Sequence, residues 1–299
     1  MSWNLDFITE SNFKKHVADT ILKYGEKLEP YDIEKFNKNI IDPVKLIFDK
    51  TVYHSTWEQI ISNEIFRQRD KSNNNDIGYF HQRIFQYINK CRVPENGRDG
   101  GWDVIFDDKH NIRLPDDDRV STIYVEMKKK HNTMNSASAR KTYIKMQNKL
   151  LENDDCACFL VEAIAQKSQN IKWETTVDGK KVSHRRIRRV SIDKFYEIVT
   201  GEKTAFYQMC MVLPGVIQEV VESSEKEVVP HDTVFLELCN VANQINVGTE
   251  DLSMALAIYL LGFSSYQGFN GYFIDEINTT HQIKEIEAIY QVAKRNNNL

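Results

Sequence analysis

The sequence predicts an α/β protein in which a central mixed β-sheet is covered by helices. Three observations predict it: apolar residues at helical spacing up to about residue 90, strand-like patterning after Pro94, and helical spacing again from Ser191 onward.

In chain order, Phe13, Val17, Ile21 and Leu22 line one face of a first helix. A second helical segment, Ile33 to Phe48, is broken at Pro43, whose ring and missing N–H do not suit a helix interior. Thr56 stands as an N-cap ahead of Trp57, Ile60, Ile61 and Ile65. The polar run DKSNNND (70–76) predicts a loop, and Ile77, Phe80, Ile84, Phe85 and Ile88 then form the stripe of another helix.

ENGRDGG (95–101) is turn chemistry. WDVIF (102–106) is short and β-prone, and DDKHNIRLPDDD (107–118) predicts a polar connection. STIYVEMK (121–128) alternates: Ser121, Ile123, Val125 and Met127 share one face, Thr122, Tyr124, Glu126 and Lys128 the other. The hydroxyl-rich NTMNSASA leads to a helix over about 140–151, and CACFLVEAIA (156–165) reads as a buried strand. VDGKK (177–181) marks a hairpin, and SIDKFYEIVTG (191–201) a capped helix ending at Gly201. Helices are expected around 252–261 and 283–292. The expected organisation is one α/β domain over 1–225 and an acidic, mainly helical region over 226–299.

No segment of the 299 residues approaches the roughly 18 uninterrupted apolar residues that span a membrane. The N-terminus lacks a basic-then-apolar export pattern, so a cytoplasmic protein is expected. The five cysteines lack the paired spacings of a zinc site, and Cys156 and Cys158 sit in an apolar run as buried thiols.

The net charge of −4 is unevenly spread. Residues 213–299 carry four Lys/Arg against twelve Asp/Glu, leaving the first 212 residues at +4. The stretch 126–149 holds seven basic side chains and one acid, and 167–189 holds eight and two. Such runs are the expected footprint of a polyanion-binding surface, or else two solvated faces.

Phosphodiester hydrolysis needs a placed water, neutralisation of the phosphate and help for the leaving oxygen. Mg2+ with one or two carboxylates and a neighbouring lysine meets those needs. Tripeptides of an acid, any residue and lysine occur at 107–109, 126–128 and 178–180. The first and last sit in turn-like sequence, whereas Glu126 and Lys128 lie on the polar face of a strand. They also follow Asp103, which flanks the preceding β-prone segment. Asp103 and Glu126 are therefore the candidate metal ligands, and Lys128 the residue that positions the attacking water.

GGWDVIF, YVEMKKKHNTMNS and RRIRRVSIDKFYEIVTG resemble the type II restriction endonucleases that cut GGNCC. NIIDPVKLIFDK, NEIFRQRDKSNNNDIGYFHQ and LVEAIAQKSQNI extend the resemblance, which covers about residues 5–222. It implies the restriction-endonuclease-like fold of the PD-(D/E)XK superfamily, with Asp103, Glu126 and Lys128 completing the motif. Trp102 stands where the motif's name expects proline. The resemblance further implies double-stranded DNA as substrate, Mg2+ as cofactor, 5′-phosphate and 3′-hydroxyl products, a homodimer on a palindromic site, and a bacterial or archaeal cell.

Other residues are placed with more than one role open. His81, Gln82 and Glu64 can supply the surroundings of a metal, or internal hydrogen bonds. Lys129 and Lys130 continue the basic run of Lys128, and His131, directly after it, can contact phosphate or stand as a solvated loop residue. Asn132, Asn135, Ser136, Ser138 and Arg140 surround a helix start, where free N–H groups favour an anion and the same side chains favour capping. The hairpin from Asn170 to Arg189 suits the major groove, with Lys172, Arg185, Arg186, Arg188 and Arg189 available for guanines or phosphates. Trp173 reads as its buried anchor. Alternatives are a repair or recombination nuclease of the same fold, and a DNA-binding protein without catalysis. A methyltransferase is disfavoured, since no strand-linked Gly-x-Gly-x-x-Gly loop is present.

Overall fold

A computed structural model describes residues 3–25, 29–95, 98–115, 117–223, 231–246, 248–267 and 269. The helices α1 (Glu10–Gly25), α2 (Ile33–Lys38), α3 (Pro43–Val52) and α4 (Trp57–Arg83) come first, followed by a single 3-10 turn, Ile84–Tyr87. The strands are β1 (Cys91–Arg92), β2 (Val104–Arg113), β3 (Arg119–Lys130), β4 (Cys156–Ile164), β5 (Asn170–Val177) and β6 (Lys180–Ser191). Helix α5 (Ser136–Glu152) links β3 to β4, and α6 (Ile192–Thr200), α7 (Ala205–Ser223), α8 (Val234–Ile245) and α9 (Glu250–Phe263) follow the sheet.

Among the described residues the strands form one six-stranded sheet in the order β1-β2-β3-β4-β6-β5. β2 pairs antiparallel with β1 and β3, β4 lies parallel to both β3 and β6, and β5 closes the far edge antiparallel to β6. This is the mixed, helix-covered sheet of a restriction-endonuclease-like fold. One of its faces buries Val104, Ile123, Val125, Phe159 and Val190 with residues of α1, α6 and α7. The other buries Ile105, Cys158, Leu160 and Ile187 beneath Tyr143 and Met146 of α5. Each such large apolar side chain contributes roughly 1.5–3 kcal/mol on full burial, and strand alternation therefore locks the register.

The chain forms two compact units, residues 1–23 with 75–226 and residues 24–74 with 227–299. The sheet belongs to the first. In the second, Ile33, Phe36, Leu46, Ile60 and Ile61 share a core with Leu238, Val241, Ala257 and Ile258. This division differs from the single break expected at 225/226, because α2, α3 and the start of α4 pack with the C-terminal helices. Of the helices expected in the C-terminal region, that at 252–261 lies within α9, and that at 283–292 falls outside the described residues.

Two polar stretches differ from expectation. Residues 70–76 are helical within α4, where Asn74 donates to Asp70 one turn back at 2.8 Å. The boundary between the units falls in this stretch, so it needs no long apolar stripe. The expected connection at 107–118 is largely strand: β2 runs to Arg113, pairing Ile112 with Val120 and Arg113 with Arg119 across a shifted register. Its outward residues are hydrophilic, so hydropathy does not mark it. The sequence also gave no sign of the two-residue β1.

Candidate active site

Asp103 immediately precedes β2, and its backbone N–H donates to Val125 O at 2.9 Å. Its carboxylate oxygen Oδ2 accepts the Met127 N–H at 2.7 Å, which ties the side chain to β3. Because Val104 pairs with Val125, the register sets Asp103 opposite Glu126, both on the α5 side of the sheet. The turn before Asp103 is held by three positive φ angles, at Asp99 (50°), Gly100 (74°) and Gly101 (68°). A side chain at Gly100 would also press on the Trp102 indole, 3.3 Å from the position of its Cβ.

Glu126 is gripped from two directions. Lys128 Nζ donates to Oε1 at 2.8 Å, and Lys145 Nζ of α5 donates to Oε2 at 3.0 Å. Lys145 also donates to Gly101 O at 2.7 Å and lies 4.1 Å from the Trp102 ring centroid. One α5 lysine thus joins the Asp103 turn to the Glu126 strand. Trp102, in the position named for proline, is buried and supplies the flat surface beneath that cation.

The two carboxylates differ in electrostatics. Burial pushes the Asp103 carboxyl up to about 6, and the charge of Glu126 adds to this, against the Met127 N–H, Lys128 and Lys145. Burial also acts to raise Glu126, but the hydrogen bonds and charges of Lys128 and Lys145 outweigh it and hold that carboxyl below its ordinary value. A carboxylate pair whose mutual repulsion is only partly relieved suits a divalent cation. Among the described residues, no group of three or more His, Cys, Asp or Glu side chains could hold a metal. The candidate set is thus two carboxylates, which is enough for Mg2+ because that ion keeps several waters.

The competing tripeptides gather no such set. Asp107 accepts a hydrogen bond from Thr122 at 2.8 Å, and Asp178 sits at the β5–β6 turn facing Arg140 at 3.2 Å. Gln82 and Asp103 line the same cavity of about 460 Å3, together with His16, Arg83 and Trp102. Among the described residues the buried Nδ1 of His81 has no partner, and burial first, then the charges of Lys129 and His16, lowers its pKa to about 4. Glu64 is buried in the second unit, where Arg67 and Gln68 donate to its carboxylate.

The remaining candidates divide by their partners. Asn135 caps α5, accepting the Ser138 N–H at 2.8 Å, and Ser136 is the first residue of that helix. Lys130 and Asn132 are exposed, and Lys129 is half-buried. In the hairpin, Trp173 is buried against Tyr143, with ring centroids 5.4 Å apart. Arg186 makes a two-pronged bond to Asp118 at 2.7 and 2.8 Å. Arg188, only 3% exposed, donates to Asn170 Oδ1 at 2.5 Å and Asn170 O at 2.8 Å. Arg189 donates to Glu162 Oε1 at 2.9 Å, and His131 Nδ1 lies 3.0 Å from Glu162 Oε2. Arg185 keeps a side chain that is 58% exposed, and Lys172 is exposed too.

Sequence reasoning missed Lys145 and Glu162. A signal existed for the first: Lys141, Lys145 and Lys149 recur every four residues along α5. Lys149, one turn beyond Lys145, lies over the Tyr124 ring at 4.7 Å. Glu162 carried none, since it is one acid inside an apolar strand.

A mixed sheet that brings an aspartate before one strand beside a Glu-Met-Lys on the next is the arrangement of the restriction-endonuclease-like class of folds. The model of the Eco47II restriction endonuclease family matches residues 5–222, and the chain belongs to that family. It is 29% identical over 250 residues to the type II restriction enzyme Sau96I of Staphylococcus aureus, covering 81% of this chain and 90% of that enzyme. It is 27% identical over 228 residues to the type II restriction enzyme Eco47II of Escherichia coli, covering 73% and 88% respectively. Type II restriction enzymes are nucleases that bind DNA. Among the described residues, no helix is long and apolar enough to cross a membrane.

Proposed function

We propose that the chain is a Mg2+-dependent type II restriction endonuclease that cleaves double-stranded DNA at a short palindromic site, GGNCC. The observation that carries this reading is the meeting of Asp103, Glu126 and Lys128 on one face of β2 and β3, with Lys145 bracing Glu126 from α5. Asp103 and Glu126 would hold Mg2+, two hard oxygen donors suited to that ion. When bound, the ion supplies charge neutralisation on the phosphate and Lewis acidity.

Lys128 positions the attacking water and places positive charge beside the phosphate as negative charge develops. Water adds to phosphorus, the bond to O3′ breaks, and the products carry a 5′-phosphate and a 3′-hydroxyl. Lys145 keeps Glu126 and the Asp103 turn in register throughout. The β5–β6 hairpin, with Arg185 and Lys172 exposed, reads the bases in the major groove. A palindromic site calls for a two-fold homodimer, so that each copy cuts one strand.

The test is digestion of a sequenced plasmid with and without Mg2+, with the product ends mapped. Discrete Mg2+-dependent fragments ending at GGNCC support the proposal. Smearing or structure-dependent nicking would sink the restriction reading in favour of a repair nuclease. Undiminished cutting by Lys128→Ala would sink the assigned chemistry, and sedimentation as a monomer with and without site DNA would sink the homodimer.

A further inference from the structure

We propose that His131 is a DNA-phosphate contact beside the cutting site, with Glu162 and Arg189 as its positioning residues. Glu162 is the α5-side neighbour of Lys128: the two are Cα partners in the β3–β4 ladder, and their side chains point to the same face. A carboxylate here, 1% exposed at the end of a strand reading Cys-Ala-Cys-Phe-Leu-Val, is costly to keep unless it is paired. Arg189, opposite Leu160 on β6, donates to Oε1 through both Nε and Nη2. With Arg189 donating to Oε1, Oε2 is left to accept from the His131 ring, which presents Nδ1–H to it.

The backbone of His131 is fixed as firmly as its ring. Its N–H donates to Ile164 O at 3.0 Å, one step beyond the last β3–β4 pair, and its carbonyl accepts from Arg189 Nη2 at 3.0 Å. An imidazole whose ring, tautomer and main chain are all set is a preorganised group, and preorganisation lowers the entropy lost on binding. The other ring nitrogen, Nε2, has no partner among the described residues, and the side chain is 22% exposed. The neighbours of His131 are three lysines before it and the capped start of α5 after it, so the open nitrogen lies where phosphate charge is favoured. In that contact both ring nitrogens donate, Nδ1–H to Glu162 and Nε2–H to the phosphate oxygen. Arg189 is by this account committed to Glu162 and reads no base.

The proposal rests on the nuclease reading above, so the experiment separates the two failures. Cleavage by the wild type in Mg2+ and its loss in Lys128→Ala are established first; if either is absent, the nuclease reading falls. Binding is then measured in the Lys128→Ala background to duplexes that each carry one neutral methylphosphonate near the mapped cut. One phosphate is expected whose neutralisation weakens binding about tenfold or more, the scale of a charge-assisted hydrogen bond. Adding His131→Ala should abolish that penalty at that phosphate alone, and adding Glu162→Gln should reduce it. A purely structural role would lower affinity equally for every duplex. An unchanged penalty in His131→Ala overturns the phosphate contact, and a full penalty in Glu162→Gln overturns the positioning role. If Glu162→Gln does not fold, His131→Ala decides the contact, and Arg189→Lys, checked by circular dichroism, decides positioning by the same criterion.

Discussion

The two basic runs, 126–149 and 167–189, look alike in sequence and differ in what the structure does with their charges. In the first, Lys128 and Lys145 come from a strand and a helix and converge on one carboxylate, Glu126. In the second, two arginines are taken up by acids outside the run, Arg186 by Asp118 and Arg189 by Glu162, while Arg185 stays exposed. Arg188 is bound to Asn170 of β5, two residues from its own ladder partner, Lys172. A count of charge along a sequence therefore measures supply. What reaches a ligand is the charge left after distant acids have taken their share, and that depends on strand order.

The comparison breaks first at Arg189. If the second run is mainly internal, Arg189→Ala leaves Glu162 buried with only His131 opposite it, and the loss is one of stability. Removing one partner of a buried pair costs about 3–5 kcal/mol. Denaturant unfolding should show it, with the midpoint falling and the slope unchanged. A change within about 0.5 kcal/mol, together with lost DNA affinity, would return Arg189 to the DNA-reading set.

Lys145 sharpens the other side. Lys145→Met keeps a side chain of similar length over Trp102 and removes the charge from Glu126 and Gly101. With the Glu126 carboxylate held by Lys128 alone, the single-turnover cleavage rate should fall about 10²-fold, the scale of a small misplacement at a reacting centre. DNA affinity should change little. A rate within twofold of wild type would mean that α5 braces nothing of consequence.

How much of this was legible in the sequence depends on whether the cue was local. The strand face carrying Glu126 and Lys128 was visible because alternation is a two-residue signal, and the Gly201 and Pro43 boundaries because one residue decides them. The choice among three tripeptides came from the same alternation. The helix through 70–76 and the polar half of β2 were hidden, since both depend on hydrogen bonds made by hydrophilic residues. Lys145, 17 positions after Lys128 and across a helix, reaches Glu126 only once α5 lies on the sheet. Glu162 was hidden for the opposite reason: its environment made it look like a break in an apolar strand, although its partners come from two other segments. The second unit was missed because Ile33 to Ile65 meet Val234 to Leu261 across some 170 intervening residues, a pairing that no local pattern announces.

The smallest expected effect tests whether Asp118 holds the second run as firmly as the geometry says. The two-pronged hydrogen bond of Arg186 is the main reason that the Asp118 carboxyl is held below its ordinary value; burial opposes it, and the charges of Arg186 and Arg185 add to it. A carboxyl depressed in the folded state stabilises that state at pH values above its unfolded pKa, about 3.9. The contribution is lost as pH falls through the depressed folded value. The stability difference between wild type and Asp118→Asn should therefore be flat from about pH 5 to 8 and shrink below about pH 4. On the plateau it should be about 1 kcal/mol, the scale of one lost hydrogen bond, since Arg186 keeps its bond to Asp154 O. A difference that instead grows on acidification would mean that Asp118 is raised in the folded state, and that Arg186 is as available to DNA as its place in a basic run suggests.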